Sequence, residues 1–494
     1  MSTFFFRHFP NAMLLSNLPV DVLIQDLLPR LPYKTLIELS KTSKFFYRLC
    51  GDESLWKKLA LRELHIPAYA TFRNRGWKDI FAKLHHPVVY TWGEGTHYRL
   101  GHAEVVQPRG NFRNYRTDER VPRELVALRG KKIVDLVAGG WFFHALDRYG
   151  KVWAWGTLQV EWPISRGAQT TPIKTPTMVN LPEHESMESI SCGRSHAISL
   201  STEGNVYHWN HIRKVQQVLI PGTTSRVRQI AANWGYSSIL TEAGELFFVQ
   251  QPENAVDELS AAILTVEATS PGVTLQNYIN DAQAMGVQVE NADDDGFIQI
   301  ASMESQTLVL TKKGRVYLFD TAHIAIPTDE NVGRVERNRT IGWPPQFISN
   351  PAKTGGELKH YSSPYQKNII DSDGHLTMFI SAFYHNFAVY SLDGAVKLGS
   401  HETTSDAQPH TMSELNQDIC KVTFGDYHSG ALTTEGDLLS WGSHSCGALG
   451  HGSKSSPTRE IASPKNIEAL KDMFIFAASF GGWHSGCLAF KRTD

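Results

Sequence analysis

The chain closes on FGGWHSGCLAFKRTD, Phe480 to Asp494. An earlier stretch, FGDYHSGALTTEGDLLSWG (Phe424 to Gly442), starts the same way and continues. Its Gly-x-x-His piece runs through a glycine turn into a second strand that ends in Trp-Gly. At the C-terminus that second strand is missing. VVYTWG (Val88 to Gly93) has the opposite defect: it ends in Trp-Gly and has no first half before it. Joined, the two pieces make one hairpin from opposite ends of the chain.

Complete copies lie between them. The clearest are ESISCGRSHAISLSTEGNVYHWN (188–210) and CKVTFGDYHSGALTTEGDLLSWG (420–442). Weaker copies span 134–156, 228–250, 298–320 and 378–400; the last three lose the Trp-Gly and hold Tyr236, Gln306 and Asn386 in the histidine slot. Alternation such as Ile198 and Leu200 against Ala197 and Ser199 marks a half-buried strand. Gly150, Gly204, Gly244, Gly314, Gly394 and Gly436 are expected to supply the positive φ of a tight hairpin turn. Two strands cannot bury their own faces, so the copies must stack. Their spacing, about 40 to 80 residues, is that of propeller blades with insertions. The predicted fold is mainly β: a seven-bladed β-propeller over residues 88–494, its last blade closed by N- and C-terminal strands so that no sheet edge is left open.

A second element repeats between hairpins. WGEGTHYRLGH (Trp92 to His102) matches WGSHSCGALGH (Trp441 to His451), which reads as the loop leaving a blade. Insertions at about 251–296, with ENADDDG, and about 321–376, with WPPQFISNP, read as functional loops or disorder. Together the glycine and histidine slots, the glycine turn, Val-Tyr-x-Trp-Gly and Leu-Gly-His resemble the regulator-of-chromosome-condensation (RCC-type) propeller family.

Residues 1–87 lack the repeat and divide into a tail (1–13), a helical module (14–60) and a helical linker (61–87). Val20, Leu23, Ile24, Leu27, Leu28 and Leu31 fall at helical spacing, and Pro32 ends that helix. Leu36 and Leu39, then Phe45, Phe46 and Leu49, suggest two further short helices. Asp52 is placed to cap a fourth, and GWKDIFAKL (76–84) reads as a last one. So small a bundle holds more leucine than its own core can take, so some should face a partner. The stretch from Leu18 to Leu59 resembles an F-box: Leu-Pro, an apolar helix, a Leu-Pro break, Leu-x-x-Leu-Ser, an aromatic-basic stretch and a closing Leu-Trp. The resemblance implies docking on the Skp adaptor of a cullin–RING ubiquitin ligase through Leu18, Pro19, Ile24, Leu27, Leu28, Leu31 and Leu36. Trp56 is expected inside the module. Lys41-Thr42-Ser43 departs from the family's more usual Val and Cys.

Composition narrows the function. Formal net charge is −2, with no basic tail, so neither nucleic acid nor an anionic membrane is an expected partner. No stretch approaches the roughly 20 apolar residues of a spanning helix, and the first fifteen residues lack a signal-peptide pattern. Five scattered cysteines suggest a reducing cytoplasm or nucleus rather than a disulfide framework. His444, Cys446 and His451 lack a paired zinc-ligand pattern, and Asp293, Asp294 and Asp295 lack calcium spacing, so both read as structural or solvated positions. Cys487 reads as a buried packing residue, and a histidine repeated at one hairpin position, as in His196, His428 and His484, reads as packing. No catalytic residue, metal or cofactor is expected.

The residues between the glycine and histidine slots carry more information. Trp141, Arg194, Trp234, Glu304, Tyr384, Tyr427 and Trp483 should line one rim, one per blade. Aromatic and Arg side chains anchor protein interfaces, although such rings can equally pack between neighbouring blades. The reading is a non-catalytic substrate-recognition subunit of an SCF (Skp–cullin–F-box) ubiquitin ligase, its propeller holding the target protein at Trp141, Arg194, Trp234, Tyr384, Tyr427 and Trp483. The alternatives are a guanine-nucleotide exchange factor for a small GTPase or a chromatin or scaffold protein. A light-sensing tryptophan cluster is disfavoured because the arginines that should neighbour the tryptophans are absent.

Overall fold

A computed structural model of the chain describes residues 15–67, 71–73, 75–102, 118–158, 172–251, 264–268, 272–284, 286, 289–291, 293–320, 355–364, 368–371, 376–391, 394–416, 418–443, 445–452 and 460–492. Two compact units emerge: residues 1–65 with 74–85, and residues 66–73 with 86–494.

In the helical unit, Val20–Arg30 is not one helix running to Pro32. It is an α turn (Val20–Val22), a π turn (Leu23–Leu27) and a 3-10 turn (Leu28–Arg30). The cause is Pro29, which has no N–H to offer the Gln25 carbonyl. Lys58 Nζ donates to that carbonyl instead, at 3.4 Å, and Arg62 donates to the Pro29 carbonyl. Both project from the helix Glu53–Glu63, four residues apart on one face. Asp52 caps that helix by accepting from the Ser54 and Leu55 amides at 2.9 and 3.3 Å. Helices Tyr33–Ser40, Lys44–Leu49 and Trp77–Lys83 complete the unit where expected. Trp56 is buried and donates its indole N–H to Cys50 O at 2.7 Å.

The second unit is a seven-bladed propeller. Blade 1 is the split one: Met473–Phe480 and His484–Lys491 come from the C-terminus, while Val88–Gly93 and Glu119–Glu124 come from the start of the propeller. Val88 to Gly93 pairs antiparallel with His484 to Ala489 without a break. Blades 2 to 7 begin at Ile133, Met187, Val227, Phe297, Met378 and Ile419. Several hairpin strands are buried on both faces rather than half-buried, while others such as Met187–Cys192 keep exposed or half-buried positions. Ala197–Ser201 is buried throughout, with Ser199 and Ser201 fully so, because a neighbouring blade covers each face of the sheet. Five of the six turn glycines have φ between 71° and 89°; Gly394 does not.

Polar side chains on the innermost strands tie blade to blade. Ser191 accepts from Ala232 N–H, Thr423 from Phe480 N–H and Ser479 from Ala138 N–H, all at 2.9–3.0 Å. Gln229 bonds both backbone groups of Ile300, and Gln299 both of Ile380. Each of these side chains satisfies an N–H of the next blade, which explains why side chains as polar as Gln229 and Gln299 can be buried there.

The insertions contribute structure. Leu264–Glu267 adds a parallel fifth strand to blade 3, the helix Leu275–Ala284 buries Tyr278 and Ile279, and Gly355–Glu357 forms the outer strand of blade 5. Asp295 is not solvated: its side chain is fully buried 2.9 Å from Arg315. WPPQFISNP and His444 lie outside the described residues.

The linker boundary also moves. Residues 66–73, within the expected linker 61–87, belong to the propeller. Phe72 donates its N–H to Cys420 O and stacks on Phe379 at 4.1 Å. Arg73, fully buried, donates to the carbonyls of Thr434 and Ile475. Pro67 and Phe72 thereby line a central cavity of about 200 Å³ together with innermost-strand residues such as Asp135, Gln229, Gln299 and Lys421.

Candidate functional site

The rim is built by the turn between the first two strands of each blade. These turns touch, which is what the glycine slots permit. A Cβ on Gly193 would stand 2.0 Å from Asn233 O, and one on Gly481 would stand 2.3 Å from Gly139 O. The histidine slots close the same junctions. His196 Nε2 lies 2.8 Å from Ser237 Oγ, His428 Nε2 lies 2.8 Å from Ser485 Oγ, and His484 Nε2 lies 3.3 Å from Phe142 O. Burial holds His196 and His428 neutral, their pKa lowered to about 3, and pushes His484 well down too. The histidine slot is structural, as its repetition implies. Cys487 is likewise fully buried, with its thiol pKa pushed up by desolvation.

The Trp-Gly motif serves the same turns. The carbonyls of Trp141, Tyr427 and Trp483 accept from Thr157, Ser443 and Glu94 N–H at 2.8–3.0 Å. Those donors each follow a Trp-Gly pair. Gly156 permits the approach with φ of 96°, and a Cβ there would lie 2.4 Å from Trp141 O. The repeat thus fixes the backbone of the rim and leaves its side chains to project. In the loop that follows, His102 and His451 occupy equivalent places: their Nε2 atoms lie 3.1 Å from Thr91 Oγ1 and 3.0 Å from Ser440 Oγ.

The structure brings the seven expected rim residues together, and their contacts run from the turn of one blade to that of another. Arg194 of blade 3 holds its guanidinium carbon 4.4 Å from the Trp141 ring and 3.8 Å from the Trp234 ring. Trp234 stacks on Tyr384 at 4.4 Å and 9°, and Tyr384 on His385 at 3.6 Å and 16°. Trp234 belongs to blade 4 and Tyr384 to blade 6, so the stack spans the turn of blade 5. Glu304 from that turn pairs with His385 at 2.8 Å. Tyr427 lies 6.5 Å from Tyr384 and 6.2 Å from Trp483. Tyr427 and Trp483 remain 55% and 38% exposed. Tyr384 adopts φ of 53°, a left-handed conformation that a tyrosine adopts only at a cost.

Arg194 overturns one sequence argument. Tryptophans do have an arginine neighbour; it comes from the adjacent blade, not from adjacent sequence. His385, Asp426 and Arg99 are rim residues that sequence reasoning missed. Position in the repeat was the available signal for the first two, which flank Tyr384 and Tyr427. Burial raises the Asp426 pKa to about 6, against the pull of Arg194 and Arg99. Arg99 itself is buried and paired with Glu94 at 3.0 Å.

In the helical unit the seven expected adaptor-facing residues divide. Pro19 and Leu27 are exposed, and Leu18 and Leu31 are half-buried. Ile24, Leu28 and Leu36, at 8%, 3% and 0% exposure, belong to the unit's own core. Helical periodicity identifies an apolar face but not which side of it a short, broken helix turns inward. Val20, Val22, Ile37 and Tyr47 are exposed apolar residues that the sequence reading did not assign.

Comparison with known proteins follows this division. Residues 88–146 and 435–488 match the regulator of chromosome condensation (RCC1) repeat, residues 419–448 match a second form of that repeat, and residues 15–62 match the F-box-like domain. The chain therefore carries an F-box-like module followed by RCC1 repeats, an arrangement that fits an F-box/RCC-repeat protein. It is similar to F-box protein pof9 of Schizosaccharomyces pombe, 21% identical over 97% of this chain and 90% of that protein. SCF-associated factor 1 of Saccharomyces cerevisiae is 33% identical over 18% of this chain and 17% of its own length. Among solved structures, yeast RCC1 (Prp20), crystallised with Kap60, shares the fold with a TM-score of 0.55 at 18% identity, over 87% of this chain and 94% of that one.

Proposed function

We propose that this protein is the substrate-recognition subunit of an SCF ubiquitin ligase, acting in the cytoplasm, the nucleus or both. The observation that carries the reading is the coupling of an F-box-like module, with apolar side chains turned to solvent, to an RCC1 propeller whose rim gathers aromatic and Arg side chains. Pro19, Val20, Val22, Leu27, Ile37 and Tyr47 would meet the Skp-type adaptor and, through it, the cullin–RING core. Trp141, Arg194, Trp234, Tyr384, Tyr427 and Trp483 would meet the target protein. The receptor contributes proximity: a target held beside a charged conjugating enzyme reacts as in an intramolecular step. The bond-making groups belong to other subunits.

Affinity capture with the full chain tests the reading. Val20→Asp with Ile37→Asp should abolish capture of adaptor and cullin while target proteins are still retained. Persistence of the adaptor refutes the F-box assignment. A nucleotide-release assay on small GTPases, expected to show no acceleration, addresses the exchange-factor alternative.

A further inference from the structure

Among the described residues Arg194 is the only Arg or Lys stacked on a rim indole, and its setting is specific. Its stem packs on Gly140, where a Cβ would come within 3.3 Å of Arg194 Cγ, and its carbonyl accepts from Gly140 N–H at 3.1 Å. Its head is held between Trp141 and Trp234. The guanidinium carbon thus lies against two indole rings, and the N–H donors are left. Among the described residues no acceptor bonds those donors and no carboxylate forms an ion pair with them. Glu304 is engaged by His385, and Asp426 acts on Arg194 only at longer range.

We propose that Arg194 reads an oxyanion, carboxylate or phosphoryl, on the target polypeptide, a step that rests on the rim being the docking face. A guanidinium edge offers parallel donors that match two oxygens of one acid group. Stacking has already fixed its rotamer, so little side-chain entropy is lost when the pair forms. Arg194 is half-buried beside the indoles, and the lower local polarity strengthens the attraction. Tyr427 and Trp483, exposed on the same rim, offer apolar area to residues flanking the acid group.

The probes are fluorescein-labelled hexaglutamate, a Gly-Ser peptide with one phosphoserine, and hexaglutamine, titrated by anisotropy into the full-length protein. At least one acidic peptide should bind at least tenfold more tightly than hexaglutamine, and the tighter of the two identifies the oxyanion. Arg194→Gln should remove that preference. Arg194→Lys, which keeps the charge but loses the planar fork, should weaken it about tenfold. Equal binding of all three peptides overturns the proposal, as does undiminished preference in either variant. Urea midpoints of both variants establish that they are folded. Adaptor capture by the same proteins separates the two readings: its failure in the unsubstituted chain sinks the receptor assignment and leaves the peptide result standing.

Discussion

Phe72 offers a direct test of where the propeller begins. It lies in a stretch that sequence alone assigns to a linker, yet it is 8% exposed and stacked 4.1 Å from Phe379, with Tyr390 at its edge. Phe72→Ala removes a buried ring and leaves a cavity, which costs about 3–5 kcal/mol. The stack accounts for about 0.5–1.5 kcal/mol of that. Phe72→Leu, which keeps most of the apolar volume, should therefore lose far less than Phe72→Ala. The assay is urea unfolding followed by tryptophan fluorescence, to which Trp141, Trp155, Trp209, Trp234 and Trp441 of the propeller contribute. The propeller transition must be resolved from that of the helical unit, since one free energy does not describe two units. A double-mutant cycle with Phe379→Ala should return a coupling of about 0.5–1.5 kcal/mol. A propeller transition shifted by less than about 1 kcal/mol in Phe72→Ala refutes the reasoning, because a mere linker predicts no shift.

Three further expectations use the same measurement. Gly481→Ala should cost about 1–3 kcal/mol, since the new methyl would meet the Gly139 carbonyl at 2.3 Å and neither backbone can yield cheaply; an unchanged midpoint would show that the turns are less tightly joined. Asp295→Asn should cost about 3–5 kcal/mol because it leaves Arg315 buried without its counter-charge, and Asp295→Leu with Arg315→Met should recover much of that loss. Acid should destabilise the propeller: His144, His196 and His428 have pKa values lowered to about 3 and His208 to about 4, so below about pH 6.5 the unfolded chain takes up protons that the folded one refuses. Each such histidine contributes a slope of about 1.4 kcal/mol per pH unit, partly opposed by Asp135 and Asp426, whose pKa values are raised to about 6. Urea midpoints should fall from pH 7 to pH 5; constant or rising midpoints contradict the histidine assignment.

The blade count and the split blade were legible because turn glycines, Trp-Gly pairs and slot spacing are local patterns with geometric causes. Gly93, Gly156 and Gly442 each carry φ between 96° and 105°, a demand on residue type that a sequence displays openly. What was hidden depends on contacts between chain segments far apart in sequence. Nothing near Arg194 in sequence places Trp141 or Trp234 beside it. Nor does anything near Asp295 announce Arg315, and an acidic run ordinarily reads as solvated. The strand Leu264–Glu267 escaped notice because a four-residue edge strand has too short a pattern to stand out. The burial of Ile24, Leu28 and Leu36 was hidden for a related reason: in a small bundle the core and the partner face are both apolar, and only packing separates them.

The closure of the ring and the rim are one problem. Val88–Gly93 is held by the C-terminal strand, and the residue after it, Glu94, donates to the carbonyl of Trp483 at the top of that hairpin. Glu94 also carries the ion pair to Arg99, whose buried charge acts on Asp426 beside Tyr427. The seam therefore orients rim groups in blades 1 and 7 directly, while the stack of Trp141, Arg194, Trp234 and Tyr384 is anchored in blades 2, 3, 4 and 6. Damage to the seam should loosen Trp483 and Tyr427 before it reaches Arg194. A target that depends mainly on the Arg194 edge would tolerate such damage, whereas one that depends on the exposed Tyr427 and Trp483 rings would not, so the two halves of the rim are separable in principle by where the ring is weakened.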